Sequence, residues 1–270
     1  MKAAVFERYG PPEVLEVREV PKPTPGDHEV LIRVHAAVAT PPDCAFRSAN
    51  PFIVRAFTGI LRPKFSIIGG TLAGEVEAVG AAVHRFRPGD RVYGASVVDF
   101  GTCAEYKCLP EDGALTVMPE TVDYGEAAAL SEGFLTAMSF LRDEANVQRG
   151  QAILVNGASG SIGSISVQLA KYFGAVVTGV CSGANVGLVA GLGADRVIDY
   201  TKEDFTAAAA CYDVIFDTVG KSSFSRCRPA LKPRGVYMTA VPDFGAVLQA
   251  LWTRNGSGRR AIFATTGLRP

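Results

Sequence analysis

The sequence predicts an α/β chain of two domains, a partly open antiparallel β-barrel followed by a doubly wound parallel sheet. Three observations carry that expectation. The first 120 residues are rich in short period-two runs cut by Pro/Gly turns; helical spacing sets in near residue 120; and from residue 152 six apolar strands alternate with helical or loop segments. The expected domains are 1–122 and 123–270.

In chain order, "EVLIRVHAAVA" (29–39), "LAGEVEAVG" (72–80) and "DRVYGA" (90–95) alternate in polarity and favour β-branched residues, and "PKPTPGD" and "RFRPGD" punctuate them. In "PETVDYGEAAALSEGFLTAMSFLRDEA" the spacing turns helical, and Asp123 with Glu126 three positions on forms a capping box after Pro119. The strands of the second half fall at 152–156, 175–180, 195–198, 213–217, 235–240 and 260–265. Strand–helix alternation requires parallel crossovers. The alanine run 207–210 is most simply a short helix.

Composition narrows the function classes. Among 270 residues, 27 Lys+Arg balance 27 Asp+Glu, so no excess positive charge awaits a nucleic acid backbone. The opening "MKAAVFERYG" has no long apolar run and no segment reaches the roughly 20 apolar residues of a membrane span. We therefore expect a cytoplasmic protein with neither nucleic acid nor membrane as a partner. The six cysteines, 44, 103, 108, 181, 211 and 227, form no Cys-x-x-Cys pair and read as free thiols packed as small hydrophobes.

The chemistry-bearing stretch is "ILVNGASGSIGSISVQLAKYFGA" (153–175). Gly157, Gly160 and Gly163 stand between an apolar strand and an amphipathic helix. One glycine permits the tight turn, one lets backbone approach a pyrophosphate, and one lets helix and strand pack closely. The helix's free N–H groups and positive end then meet phosphate charge. Gly157, Ser159, Gly160, Ser161, Ile162 and Gly163 are the candidate cradle, and six strands are the full complement of a dinucleotide-binding sheet. The second strand ends in Cys181, Ser182 and Gly183, with no acid to repel a 2′-phosphate; Ser182 can donate to one, and Tyr200 can add a donor or stack on adenine. This favours NADPH over NADH, although no Arg or Lys stands in 181–190. Val219 and Val241, in "TVG" (218–220) and "TAVP" (239–242), lie at carboxyl ends of strands, where open sheets bind ligands.

The chain also resembles the medium-chain dehydrogenase/reductase superfamily, in its zinc-free quinone oxidoreductase branch. The matching pieces occur in order: the opening through "HEVLIRVHAA", "GEVEAVGAAVHRFRPGDRVYG", "FGTCAEY", "EGFLTAMSFL", "GASGSIG", "LGADRVIDY" and "DVIFDTVG". The resemblance implies a GroES-like barrel followed by a Rossmann domain, with Thr136 facing the nicotinamide and Thr40 and Asp43 as the polar wall of the site. Thr40 would donate to a carbonyl oxygen, and Asp43 would orient the "TPPDC" loop or touch the cofactor ribose. Zinc-dependent relatives carry Cys, Gly-His-Glu and Cys ligands. Here Thr40 stands at the first, "IIGGTLAGEV" has no histidine, and His28, His35 and His84 have no ligand partner at motif spacing, so no zinc is expected. Set against the resemblance, we expect the family's C-terminal return to the first domain to be missing here.

Without a metal Lewis acid, the accessible chemistry is hydride transfer from NADPH to an apolar, already electrophilic acceptor, a quinone or an α,β-unsaturated carbonyl. Phe46, Phe52, Phe57 and Phe65, within 20 residues, suggest an apolar pocket for it. Two alternatives stand beside this reading: an alcohol dehydrogenase-like aldehyde reductase, and an NADPH-binding protein without catalysis. The sixth strand, 259–266, with "GAVLQALWTRN" beside it, is a plausible edge for homodimer pairing.

Overall fold

A computed structural model describes residues 1–96, 99–207, 209–241, 244–253 and 258–263. They divide into two compact units, one spanning Met1–Glu132 and a second opening at Gly133.

In the first unit β1 (Lys2–Val5) and β2 (Glu16–Glu19) form an antiparallel pair. Next come β3 (Glu29–Ala37), α1 (Pro41–Ser48), α2 (Arg55–Thr58), β4 (Thr71–Val79), β5 (Arg91–Ala95), β6 (Tyr106–Pro110) and β7 (Leu115–Val117). Their antiparallel sheet runs β6-β3-β4-β5-β7, and bridges Ala3–Ala104 and Val5–Ile67 attach β1. The expected runs at 29–39, 72–80 and 90–95 are therefore strands. In β3 three successive residues, Val30, Leu31 and Ile32, are buried, which strict alternation forbids; the register with β4 slips between Leu31 and Ile32, and the irregularity turns both sides inward. Val30, Ile32, Leu72, Val76, Phe86, Val92, Leu109 and Leu115 make the core.

"TPPDC" is the first turn of a helix and not a loop: Thr40 is the N-cap, Pro41 the first helical residue and Asp43 the third. Proline at this position loses no intrahelical bond, and an acid three places past the cap accepts from the cap's own N–H.

The long helix α3 (Tyr124–Met138) begins with the expected reciprocal bonds, Glu126 N–H to Asp123 Oδ1 at 2.8 Å and Asp123 N–H to Glu126 Oε2 at 3.1 Å. It widens into a π-helical stretch over Ser139–Glu144. The second unit continues with β8 (Ala152–Asn156), α4 (Ser161–Tyr172), β9 (Val176–Cys181), α5 (Val186–Gly191), β10 (Arg196–Asp199), β11 (Tyr212–Asp217), α6 (Phe224–Cys227), β12 (Leu231–Thr239), α7 (Phe244–Thr253) and β13 (Arg260–Phe263). All six strands are parallel, in the order β10-β9-β8-β11-β12-β13, third-second-first-fourth-fifth-sixth. Both faces are buried: Ile153, Val155, Phe216 and Met238 enter one core, and their neighbours Leu154, Ile215 and Tyr237 enter the other. That is why these strands read as unbroken apolar runs.

The alanine run gives only a 3₁₀ turn, Phe205–Ala207, and Ala210 takes a left-handed φ of 47°. Asp204 binds the Thr206 amide and hydroxyl at 2.9 and 2.7 Å, a local alternative to helix extension. Ala208 lies outside the described residues, as do positions 264–265 of the expected sixth strand.

Candidate dinucleotide site

The glycine turn sits where β8 ends and α4 begins. Gly157 has a φ of +82°, open to glycine, and a Cβ there would lie 2.5 Å from Val219 Cγ1. A Cβ on Gly163 would lie 2.1 Å from the Gly157 carbonyl oxygen, so this glycine lets α4 pack on the turn. Gly160 is the exposed N-cap of α4, with no side-chain cap and no acid in the first turn. The N–H groups of Ser161, Ile162 and Gly163 have no partner inside the helix.

In front of this turn opens a cleft of about 890 Å³, lined from the carboxyl ends of β8, β9, β10 and β11. It brings together six of the expected cofactor residues: Gly157, Ser159, Gly160, Ser182, Tyr200 and Val219. Five others do not line it. Gly163 is spent on packing, and the Ile162 side chain packs against the core. Ser161 presents its hydroxyl toward Gly133, where a Cβ would come within 2.9 Å of it. Val241 packs toward Gly220, and Thr136 is buried in α3.

Ser182 accepts from Asn185 Nδ2 at 3.1 Å, which leaves its own proton to donate. Tyr200 is exposed on the rim. Beyond it, Asp199 binds the Thr201 hydroxyl and amide at 2.8 and 3.0 Å and pairs with Lys202 at 3.7 Å. The Thr201 bonds hold the Asp199 carboxyl below its usual range, with Lys202 adding to the effect. The cations missing from 181–190 reach the cleft from other loops: Lys202, Lys221 and Arg226 line it. Arg226 pairs with Asp204 at 3.1 Å, whereas Lys221 has no carboxylate partner among the described residues.

The floor of the turn is organised by a residue the sequence reading passed over. Asp217 is 0% exposed and ends β11. Its Oδ1 accepts from Asn156 Nδ2, Val219 N–H and Gly220 N–H at 3.0, 3.1 and 3.1 Å, and its Oδ2 from Ser222 N–H and Tyr237 Oη–H at 2.9 and 3.2 Å. Five donors replace the water this carboxylate loses. Burial, then the Asp217 charge, pushes the Tyr237 hydroxyl's pKa up, so it stays a donor. The signal in the sequence was a polar residue ending an apolar strand, "VIFD" and "ILVN" alike.

In the first unit, Asp43 is buried and accepts from the Thr40 amide and hydroxyl at 2.7 and 2.8 Å and from Gly69 N–H at 3.2 Å. Asp43 thus orients its own segment, and the Thr40 hydroxyl proton is already committed to it. Phe46 and Phe65 stack edgewise on Phe100, while Phe52 and Phe57 are exposed, so the four phenylalanines do not line one pocket.

A six-stranded parallel sheet in this order, with a glycine turn feeding an uncapped helix, defines a dinucleotide-binding protein. Residues 26–139 match the alcohol dehydrogenase GroES-like domain family, and residues 192–269 match the family described as zinc-binding dehydrogenase. The chloroplastic quinone-oxidoreductase homolog of Spinacia oleracea is 33% identical over 94% of this chain and 79% of its own length. The chloroplastic NADPH-dependent alkenal/one oxidoreductase of Arabidopsis thaliana is 35% identical over 82% of this chain, which spans 58% of that protein. The solved quinone oxidoreductase of Coxiella burnetii is 31% identical, with a TM-score of 0.86 over 98% of this chain and 83% of that one. The chain belongs to the medium-chain dehydrogenase/reductase superfamily, among the quinone oxidoreductase homologues.

Among the described residues no group of three or more His, Cys, Asp or Glu side chains is placed to hold a metal. His35 instead stacks on Tyr124 with ring centroids 4.4 Å apart, and His28 and His84 are exposed. Nor is any described helix long and apolar enough to cross a membrane.

Proposed function

We propose that this chain is a zinc-independent oxidoreductase that uses NADPH to reduce a quinone or an α,β-unsaturated carbonyl. The observation that carries the reading is the uncapped mouth of α4, flanked by Gly157 and Gly160, at the head of a cleft large enough for a dinucleotide. The activities for which the relatives are named, quinone oxidoreductase and NADPH-dependent alkenal/one oxidoreductase, support the acceptor class.

In this reading the Ser161, Ile162 and Gly163 amides and the Ser159 side chain hold the pyrophosphate at the positive end of α4. Val219, on the turn shaped by Asp217, packs against the adenosine half, with Val241 behind it. Ser182 donates to the 2′-phosphate, Tyr200 flanks the adenine, and Lys202 supplies the charge that 181–190 lacks; NADH, without that phosphate, binds more weakly. NADPH supplies the hydride when bound. Thr136 faces the carboxamide side of the nicotinamide. Asp43 keeps Thr40 in place, and Thr40 donates to the acceptor's carbonyl oxygen once its hydroxyl turns from Asp43.

We further infer a homodimer through β13. It is the last strand of the sheet order among the described residues, and α7 beside it carries Trp252, 94% exposed. All six thiols are free, as in a reducing compartment, and the cytoplasm is the one we propose.

The test mixes purified protein with NADPH or NADH, following nicotinamide fluorescence, then absorbance after adding a quinone, an enone or a saturated aldehyde. Tighter NADPH binding and turnover of quinone or enone are expected. Binding without turnover of any acceptor would reduce the protein to a nucleotide binder, faster turnover of the aldehyde would overturn the acceptor class, and stoichiometric zinc would overturn the metal-free site.

A further inference from the structure

The first unit carries a feature that cofactor chemistry does not use. Residues 44–66, "CAFRSANPFIVRAFTGILRPKFS", contain Arg47, Arg55, Arg62 and Lys64 and no Asp or Glu, in a chain whose charges balance overall. Within it Phe52, Phe57, Ile60 and Leu61 are 74%, 69%, 70% and 87% exposed. Four large apolar side chains standing in water within ten residues form a surface that calls for an explanation.

The segment is built, not loose. Tyr9 Oη–H donates to the Gly59 carbonyl at 2.6 Å and lies 2.9 Å from Thr58 Oγ1. The Arg55 guanidinium donates to the Ile60 carbonyl at 3.0 Å and lies over the rings of Tyr9 and Phe52, 4.7 and 5.2 Å from their centroids. Lys64 N–H donates to the Thr58 carbonyl at 2.7 Å and closes the turn. Arg62 and Lys64 are exposed and pair with no carboxylate among the described residues. The chain thus spends backbone and aromatic contacts on holding a loop whose tips are apolar and whose base is cationic.

We propose that residues 52–64 dock this protein on an anionic lipid bilayer surface, with Phe52, Phe57, Ile60 and Leu61 entering the headgroup region and Arg62 and Lys64 meeting lipid phosphates. Apolar tips with a basic rim are the chemistry of an interfacial segment, and charge complementarity selects the partner. A second copy fits poorly, because self-complementary pairing would set the exposed Arg62 and Lys64 against their own copies with no acid in the segment to offset them. The expectation of no membrane partner rested on missing spans, which concerns crossing and leaves surface docking open.

The experiment is co-sedimentation of the full chain with vesicles of phosphatidylcholine alone or with 30% phosphatidylglycerol, at low salt and at about 0.5 M NaCl. Binding is expected only with the anionic lipid, and high salt should suppress it as screening shortens the range of charge. Arg62→Gln with Lys64→Gln should weaken it about 30-fold, at about fivefold per cation near an anionic surface. Phe57→Ser with Leu61→Ser should weaken it at least about tenfold through lost apolar insertion. NADPH binding should be unchanged in both variants, which shows that they fold. Equal binding to both vesicle types, no binding at all, or full binding by both variants would overturn the proposal. So would self-association abolished by Phe57→Ser with Leu61→Ser in the absence of any vesicle binding, because the occupant would then be a second copy.

Discussion

The mouths of α1 and α4 are both helix N-termini beside a strand end, yet one is closed and the other open. At α1 two prolines take up the first helical positions, and Asp43 folds back to accept from the Thr40 amide, its hydroxyl and Gly69. At α4 the cap is Gly160, no side chain caps the free N–H groups of the first turn, and no acid stands there. Of the four N–H positions that open a helix, α1 fills two with proline and meets the Thr40 amide with Asp43. At α4 the Gly160 amide bonds the Gly157 carbonyl at 2.9 Å, and those of Ser161, Ile162 and Gly163 are left without a partner inside the helix, the arrangement that suits an anion. A helix end becomes a binding site when the chain declines to cap it.

The sharpest way to break that contrast is to close α4. Gly160→Asp supplies an acid that caps the first turn and repels a pyrophosphate. NADPH affinity should fall about 100-fold while the helix gains a cap. Fluorescence titration and thermal melts on the same sample check both halves. Equal loss of affinity and stability would mean simple misfolding and would remove the support for an anion site.

The converse is to open α1. Asp43→Ala leaves the Thr40 amide and the Gly69 amide without their acceptor in a buried setting, and the chain should lose about 2 kcal/mol of stability. Denaturant melts measure it. A loss under about 0.5 kcal/mol would show that water or relaxation replaces the carboxylate.

The contrast also explains what could be read in advance. The α4 turn was legible because its demands are local: a glycine for φ, one for approach and one for packing, within seven residues. The six strands were legible because burial on both faces makes each a continuous apolar run. "TPPD" misled because proline and aspartate serve turns and helix starts equally, and only the contacts of Asp43 with Thr40 and Gly69 decide between them. Asp217 stayed hidden because its donors come from 156, 219, 220, 222 and 237, a set that exists only once β8, β11 and β12 lie side by side. The cleft's cations were hidden for the same reason: none lies in 181–190, and Lys202, Lys221 and Arg226 arrive from later loops. Four nearby phenylalanines revealed composition but not direction, and two of them face water.

At the other end of the cleft, the proposed recognition moves from backbone to side chains. Ser182→Asp would place a carboxylate where the second strand ends, to accept from ribose hydroxyls and repel a 2′-phosphate. The ratio of NADPH to NADH affinity should fall about tenfold. An unchanged ratio would mean that Ser182 does not face the ribose.

The smallest effect separates the two ends most cleanly. The pyrophosphate is common to both cofactors, so anything acting at α4 changes NADPH and NADH affinity alike, whereas a group that senses the 2′-phosphate changes only one. Lys202 is exposed and already shares its charge with Asp199 at 3.7 Å, so its contribution is that of a solvent-screened pair, roughly 0.2–1 kcal/mol. Lys202→Gln should therefore weaken NADPH up to about fivefold, leave NADH unchanged, and lose its effect at about 0.5 M NaCl as screening shortens the reach of exposed charges. Titrations with both cofactors at two salt concentrations read all three outcomes. If Lys202→Gln weakens NADH as much as NADPH, the residue acts by shaping the 199–204 turn through Asp199, and the charge that meets the 2′-phosphate must come from Lys221, the lining cation that no described carboxylate neutralises.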